Sequence, residues 1–246
     1  MIKILLAPAE TKVCGGTEVP FCAENFSFPS LFDKRKVVFD EYESLVQQST
    51  LEELKKWFGL KNEKEVKKYQ ESLKNKPSMK AIQRYTGVAF DALDYNNLSE
   101  KSKAYIDKNV FLFSNLFGPI CANNLIPDYK YKQGSKLPAL NVEKFYNENF
   151  TALLDDEFGN EIIDIRAGYY EKFYKIKKAN VLTFKFIKDG KVVSHWAKYY
   201  RGKLLQIIAN NNIDSFSSFM QISIPGLKLL EIQEKKNIKL LIMEII

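Results

Sequence analysis

The stretch Leu182-Thr183-Phe184-Lys185-Phe186-Ile187-Lys188-Asp189-Gly190-Lys191-Val192-Val193-Ser194 is read first, because it fixes two strands and their connection at once. Aromatic and β-branched residues run up to an Asp-Gly pair, and the chain turns back through Lys191 to Ser194. Asp-Gly between such runs is the residue pair of a two-residue hairpin, whose central positions need positive φ. A helix over about Trp196 to Ala209 follows directly, with Tyr200, Leu204 and Ile208 on one face and Lys198 and Arg201 on another. Strand, tight turn, strand and helix in close succession predict a mixed α/β or α+β domain with a buried central sheet.

Working outward, Ile2 to Leu6 reads as a buried opening strand, and Val110 to Ser114 is apolar enough for the interior of a sheet. Ala81 to Thr86 and Glu161 to Ile165 read as further strands, and Ile238 to Ile246 is an apolar run that can be covered on both faces. Helices fit Leu31 to Gln48 and Val142 to Leu154, and another is opened by Ser99 and closed by Asn109. Thr50 caps a helix with Glu53 completing a capping box, Gly59 ends it, and Asn62 caps one running to about Leu73. No repeat, Gly/Ser linker or low-complexity tract interrupts residues 1–246, so one compact domain is expected.

Composition narrows function. A hydrophobic fraction of 46% with 13% aromatics supports a real core. The opening apolar run stops at Pro8, short of a signal-peptide core, and nothing later reaches the roughly twenty apolar residues of a membrane helix. A soluble, cytoplasmic, monomeric protein without membrane contact is therefore expected. Cys14, Cys22 and Cys121 form no CxxC pair and read as free thiols. A single histidine, His195, cannot anchor a His-rich site, so neither metal nor cofactor is expected, and no nucleophile is evident for His195 to serve. The net charge of +7 suits a polyanionic partner such as nucleic acid, although a Lys-, Asn- and Ile-rich genome bias accounts for it equally.

Four segments are candidates for chemistry. Leu51 to Tyr69 has the outline of a helix-hairpin-helix around Gly59, with Lys55, Lys56, Lys61 and Lys64 as phosphate contacts; a solvated helical pair fits the same residues. Leu116 to Ile126 imitates that motif, but Gly118-Pro119 is better read as an exit turn after the buried strand. Asp128 to Lys136 contains no aliphatic residue and is a loop, whose alternating tyrosines and lysines suit stacking on bases and pairing with phosphates. Lys198 and Arg201 lie one helical turn apart beside Gly202, which leaves room for a ligand to approach two cations; an exposed basic face reads the same way.

These segments resemble the YaaA peroxide-stress family. Ser194-His195-Trp196-Ala197-Lys198-Tyr199-Tyr200-Arg201-Gly202, with Ile207, Ile208 and Asn211 beyond, is similar to that family's I-S-x-Y-A-K-x-A-R-G and its following helix. Phe113 to Gly118 resembles L-S-G-L-Y-G, and Tyr129-Lys130, Gly134 and Lys136-Leu137 fall on its Tyr-Arg, Gly and Arg/Lys-Leu. Leu6-Ala7-Pro8-Ala9 resembles the opening I-S-P-A-K, and Thr86-Gly87 begins K/T-G-D-V-Y. The resemblance implies a compact α/β "cantaloupe" fold with a basic cleft and a helix-hairpin-helix. It implies binding of double-stranded or structured DNA, and a role in limiting iron-driven damage under peroxide. Carried onto this chain, the cleft residues are Lys12, Tyr129, Lys130, Gly134, Lys136, Lys198, Arg201 and Gly202. Glu10 stands where many members have Lys, with Lys12 two residues on; Val88 replaces an Asp, and Cys121, Ala122 and Asn124 replace Arg, Pro and Asp. Those departures favour a binder over an enzyme. The alternative is an enzyme holding a nucleotide or phosphorylated small molecule in the same cleft.

Overall fold

In the computed structural model, which describes residues 2–17 and 22–246, mixed α/β secondary structure surrounds a mostly parallel sheet. The elements are β1 (Lys3–Leu6), α1 (Phe32–Gln48), α2 (Leu51–Phe58), α3 (Glu63–Gln70), β2 (Ser78–Lys80), α4 (Ala81–Arg84), α5 (Val88–Leu93) and α6 (Glu100–Asn109). Then come β3 (Val110–Ser114), β4 (Gly118–Cys121), β5 (Leu125–Pro127), α7 (Val142–Glu157), β6 (Glu161–Ile165), β7 (Asn180–Lys188) and β8 (Lys191–Val192). The chain closes with α8 (Ser194–Asn210), α9 (Phe216–Phe219), β9 (Leu227–Lys235) and β10 (Ile238–Ile245).

The central sheet runs β4-β3-β1-β6-β7-β10-β9, with β8 paired to β7. Strands β3, β1, β6, β7 and β10 are mutually parallel; β4, β8 and β9 are antiparallel to their neighbours. The chain leaving β1 next enters this sheet at β3, on one side. The chain leaving β6 next enters it at β7, on the other. Between the carboxyl ends of β1 and β6 the connections therefore diverge, and in open parallel sheets such a switch point leaves a crevice.

Local chemistry places the pieces much as the residues predict. Every residue of β3 is buried, as its apolar run requires. Thr50 and Glu53 form the reciprocal capping box of α2, Gly59 ends it at φ +67, and the Asn62 side chain accepts from the Lys64 amide to start α3. Asp189 and Gly190 both have positive φ (51° and 74°), the conformation a two-residue hairpin demands.

Three expectations are corrected. Ala81 to Thr86 is no strand: Ala81–Arg84 is one turn of helix, and the strand is the preceding β2, paired with β5. Amides of Ala81 and Ile82 donate to the Asn124 and Ala122 carbonyls, so the turn starts on bonds that a sheet neighbour would otherwise take. Gly118-Pro119 is no exit turn either. Asn115 to Phe117 make the turn, and Gly118 and Pro119 already pair with Ser114 and Phe113 at the sheet edge, where a missing N–H is tolerated. The third helix stops at Gln70 rather than near Leu73, because Glu71 is extended.

Candidate functional site

The crevice at the switch point is occupied by a cleft of about 460 Å³. Its floor is the end of β1, Leu6, and the run Ala7 to Thr11 that leaves it. One wall is Thr86 to Phe90 at the start of α5, and another is Ala167 and Tyr170 after β6. Lys198 and Arg201 of α8 and Gln133 of the 128–136 loop complete the lining.

Each wall has a visible cause. Thr11 and Thr86 are tied twice, through the Thr86 amide to the Thr11 carbonyl and the Thr11 hydroxyl to the Thr86 carbonyl, both at 3.1 Å. The fully buried Arg84 holds the carbonyls of Val13, Gly15, Pro77 and Ile126 at 2.6–3.1 Å, fastening the segment that follows Thr11 to α4. After β6, Arg166 is clasped by both oxygens of Asp164 (2.9 and 2.7 Å) and reaches the carbonyls of Tyr170 and Tyr174. That buried, bidentate pair fixes the turn that delivers Tyr170 to the cleft.

The cations are not equivalent. Lys198 is exposed and Arg201 half-buried, and neither has a hydrogen bond or ion pair among the described residues. Burial lowers the Arg201 pKa, while the Asp164 carboxylate opposes that shift. Lys130 is engaged instead by Glu10, 3.6 Å away, and the other Glu10 oxygen accepts from the Gln133 amide at 3.2 Å. Lys136 is exposed. Lys12 is turned inward: its ammonium lies 4.0 Å from the centre of the Tyr129 ring and 5.2 Å from that of Tyr85, with the Ala9 and Glu10 carbonyls at 3.4 and 3.3 Å. Desolvation, only partly offset by Asp128, lowers its pKa to about 7.

This inward lysine has a pH signature. From about pH 7 to the ordinary lysine value of 10.5, the unfolded chain carries a proton that the folded chain has released. Stability therefore rises with pH across that window, and the cost of the buried ammonium is fully present below it. Lys12→Met should stabilise the protein most below pH 7, with the gain shrinking toward pH 10. Urea unfolding at the two ends of the window checks this, and an increment equal at both ends would refute the desolvated ammonium.

Two sequence expectations change here. Tyr129 is 2% exposed, its ring under Lys12 and its hydroxyl 2.8 Å from that of Tyr85 and 2.7 Å from that of Ser114. Tyr131 is likewise buried, against Trp57 and Tyr42. Neither loop tyrosine has a face free for a base. Gly202 leaves no room for a ligand: a Cβ there would fall 1.9 Å from the Ala89 carbonyl oxygen, so its bare surface is filled by α5. Ala167 and Tyr170 were not singled out in the sequence, and Thr86 and Gln133 stood only within separate motifs, since the strand order is what brings these four together.

The loop also joins the cleft to α2. Trp57 Nε1 donates to the Lys136 carbonyl and Ser135 Oγ to the Trp57 carbonyl, both at 2.9 Å. A Cβ on Gly59 would meet the Lys132 side chain at 3.0 Å. Gly134, at φ +83, donates its amide to the Tyr169 hydroxyl. On α2 and α3, Lys55 is held between Glu52 (2.6 Å) and Glu63 (3.0 Å), whereas Lys56, Lys61 and Lys64 are exposed and have no ion pair among the described residues. No group of three or more His, Cys, Asp or Glu among the described residues could hold a metal ion, and no described helix is long and apolar enough to cross a membrane.

Comparison with known proteins covers nearly all of this architecture. An uncharacterised protein of Campylobacter jejuni is 42% identical over 246 residues, the full length of both chains. A UPF0246 protein of Corynebacterium glutamicum is 33% identical over 245 residues, 96% of each chain. Another, from Shewanella halifaxensis, is 27% identical over 238 residues, 91% of each. The family model described as peroxide stress protein YaaA matches residues 2–233, taking in β1, the start of α5, the 128–136 loop and α8, so the chain whose cleft these segments build belongs to the YaaA family of peroxide stress proteins.

Proposed function

We propose that this protein binds the phosphate backbone of double-stranded or structured DNA during peroxide stress, limiting iron-dependent oxidative damage to it. One observation carries the reading: the 128–136 loop packs on α2 at one end and on the cleft at the other. Segments bearing cations with no ion pair among the described residues thus adjoin, with Lys56, Lys61 and Lys64 around the Gly59 turn, Lys132 and Lys136 on the loop, and Lys198 and Arg201 at the cleft. Amides and lysines at such a turn contact backbone phosphate without reading bases, which suits sequence-independent protection. Lys55 and Lys130, neutralised by carboxylates, and the inward Lys12 contribute little to that surface.

A second reading rests on the cleft's depth. A cavity of this size at a switch point suits a nucleotide or phosphorylated small molecule, which an enzyme would hold there. Salt titration separates the two. Backbone binding that neutralises Z phosphates gives a slope of about −0.9Z in log affinity against log salt, and a single small ligand gives a shallow one.

Gly59 tests the turn itself. Its φ of +67 is left-handed, and the nearest atoms that an added Cβ would meet belong to the flexible Lys132 side chain. Gly59→Val should therefore cost stability through backbone strain, about 1–2 kcal/mol, and weaken DNA binding by more than Lys64→Gln does. Melting temperature and affinity measured on the same samples decide it. Lost stability with affinity unchanged in both variants would remove α2 and α3 from the DNA surface.

A further inference from the structure

We infer that Cys14 is a peroxide-reactive thiol, oxidised in place to a sulfenic acid by hydrogen peroxide. The site lies beside the cleft and is independent of whatever the cleft binds. Cys14 is exposed, whereas Cys121 is buried and Cys22 only partly accessible. The Lys68 ammonium donates to the Cys14 sulfur at 3.0 Å and to Asp128 Oδ2 at 2.5 Å, and the thiol faces the same Oδ2 at 3.7 Å.

Asp128 supplies the second observation. Its side chain is 8% exposed, and Oδ1 has no hydrogen-bond partner among the described residues, so the carboxylate whose Oδ2 faces the thiol holds an unused acceptor. An unsatisfied buried carboxylate oxygen is costly to keep, which is common where chemistry requires it. Arg84 grips the carbonyls on both sides of Cys14, those of Val13 and Gly15, so the backbone presenting the sulfur is fixed. Among the described residues an added Cβ on the neighbouring Gly15 would meet nothing within 4 Å, so the backbone beside the exposed thiol is open. The charged groups around the sulfur are thus Lys68 and Arg84 against one carboxylate, with the Tyr69 ring 4.8 Å from the Lys68 ammonium. An accessible sulfur in such electropositive surroundings is the setting in which cysteines react with peroxide. Burial disfavours the charge on Lys68, but its bonds to Asp128 and Cys14 outweigh that and hold it protonated.

The step balances within this cluster. The thiol proton passes to Asp128, and the sulfur electron pair attacks one peroxide oxygen. The S–O bond forms as the O–O bond breaks, so sulfur is oxidised by two electrons and the peroxide reduced. Lys68 protonates the departing hydroxide to water and recovers its proton from Asp128 across their hydrogen bond. Cysteine thiol and hydrogen peroxide thus give sulfenic acid and water.

The test treats the folded protein with substoichiometric hydrogen peroxide, traps sulfenic acid with dimedone and maps the adduct by mass spectrometry. Cys14 should label first, at least about tenfold faster than glutathione in the same solution, given how strongly nearby cations activate thiols. Lys68→Met should slow labelling about tenfold and Lys68→Arg, which keeps the charge but does not pass on a proton, should restore only part of the rate. Labelling of Cys14 no faster than glutathione or than Cys22 would overturn the inference, and that comparison needs no variant to fold. A Lys68→Met protein that melts like the wild type and labels at the same rate would overturn it as well.

Discussion

Replacing Gly202 by valine should destabilise the protein by about 3 kcal/mol or more, at the upper end of what overpacking costs. Two effects oppose each other at this position, and their sizes decide the sign. Gly202 lies within α8, where glycine is worth up to about 1 kcal/mol less than alanine, so helix propensity alone predicts that any side chain stabilises. The helix, however, meets the backbone of α5: an added Cβ would stand 1.9 Å from the Ala89 carbonyl oxygen and 3.0 Å from the Ala92 Cβ. A backbone oxygen cannot rotate away like a side chain, so α5 as a whole must shift. Gly202→Ala should therefore already be less stable than wild type, and valine distinctly worse. Urea titration of the three proteins measures the order; an alanine variant as stable as wild type would show that α5 yields easily. Because Ala89 also lines the cleft, the same shift would change the shape of the cleft.

That residue shows where sequence reasoning ran out. The spacing of Lys198, Arg201 and Gly202 correctly put two cations on a helix beside a position without a side chain. It could not say what filled the gap, because α5 is more than a hundred residues away along the chain. Local signals fared better. The Thr50 and Glu53 box, the Asn62 and Ser99 caps and the Asp189-Gly190 turn depend on a few consecutive residues and formed as their chemistry dictates. Ala81 to Thr86 failed because a short buried apolar run has no period that separates one helical turn from a strand.

Tyr129 and Tyr131 failed for a different reason. A segment without aliphatic residues is correctly a loop, yet the tyrosines of this one pack against α1, α2 and the end of β3, which give them partners in Tyr42, Trp57 and Ser114. The cleft itself was legible only as a set of separate motifs. Its walls come from the ends of β1 and β6, from α5 and from α8, and their meeting depends on a strand order fixed by long-range pairing.

Lys198→Ala and Arg201→Ala should each weaken DNA binding about tenfold at low salt, the equivalent of one charge-assisted phosphate contact. Both side chains line the cleft, and neither has a hydrogen bond or ion pair among the described residues, so truncation leaves no buried partner stranded and the fold should hold. The two effects should combine to about a hundredfold loss in the double variant, provided the cations contact separate phosphates. The salt response adds a stricter condition. Each lost contact should reduce the slope of log affinity against log salt by about one unit, identically for DNA of any sequence. Arg201, being half-buried with its charge opposed by desolvation, should show the larger loss of affinity for the same change in slope. Unchanged DNA binding by a double variant that melts like wild type would remove the cleft from the DNA surface. If that variant had at the same time lost affinity for a mononucleotide, the cleft would be the seat of a small phosphorylated ligand, and the lysines around Gly59 would be left as the remaining contacts for DNA.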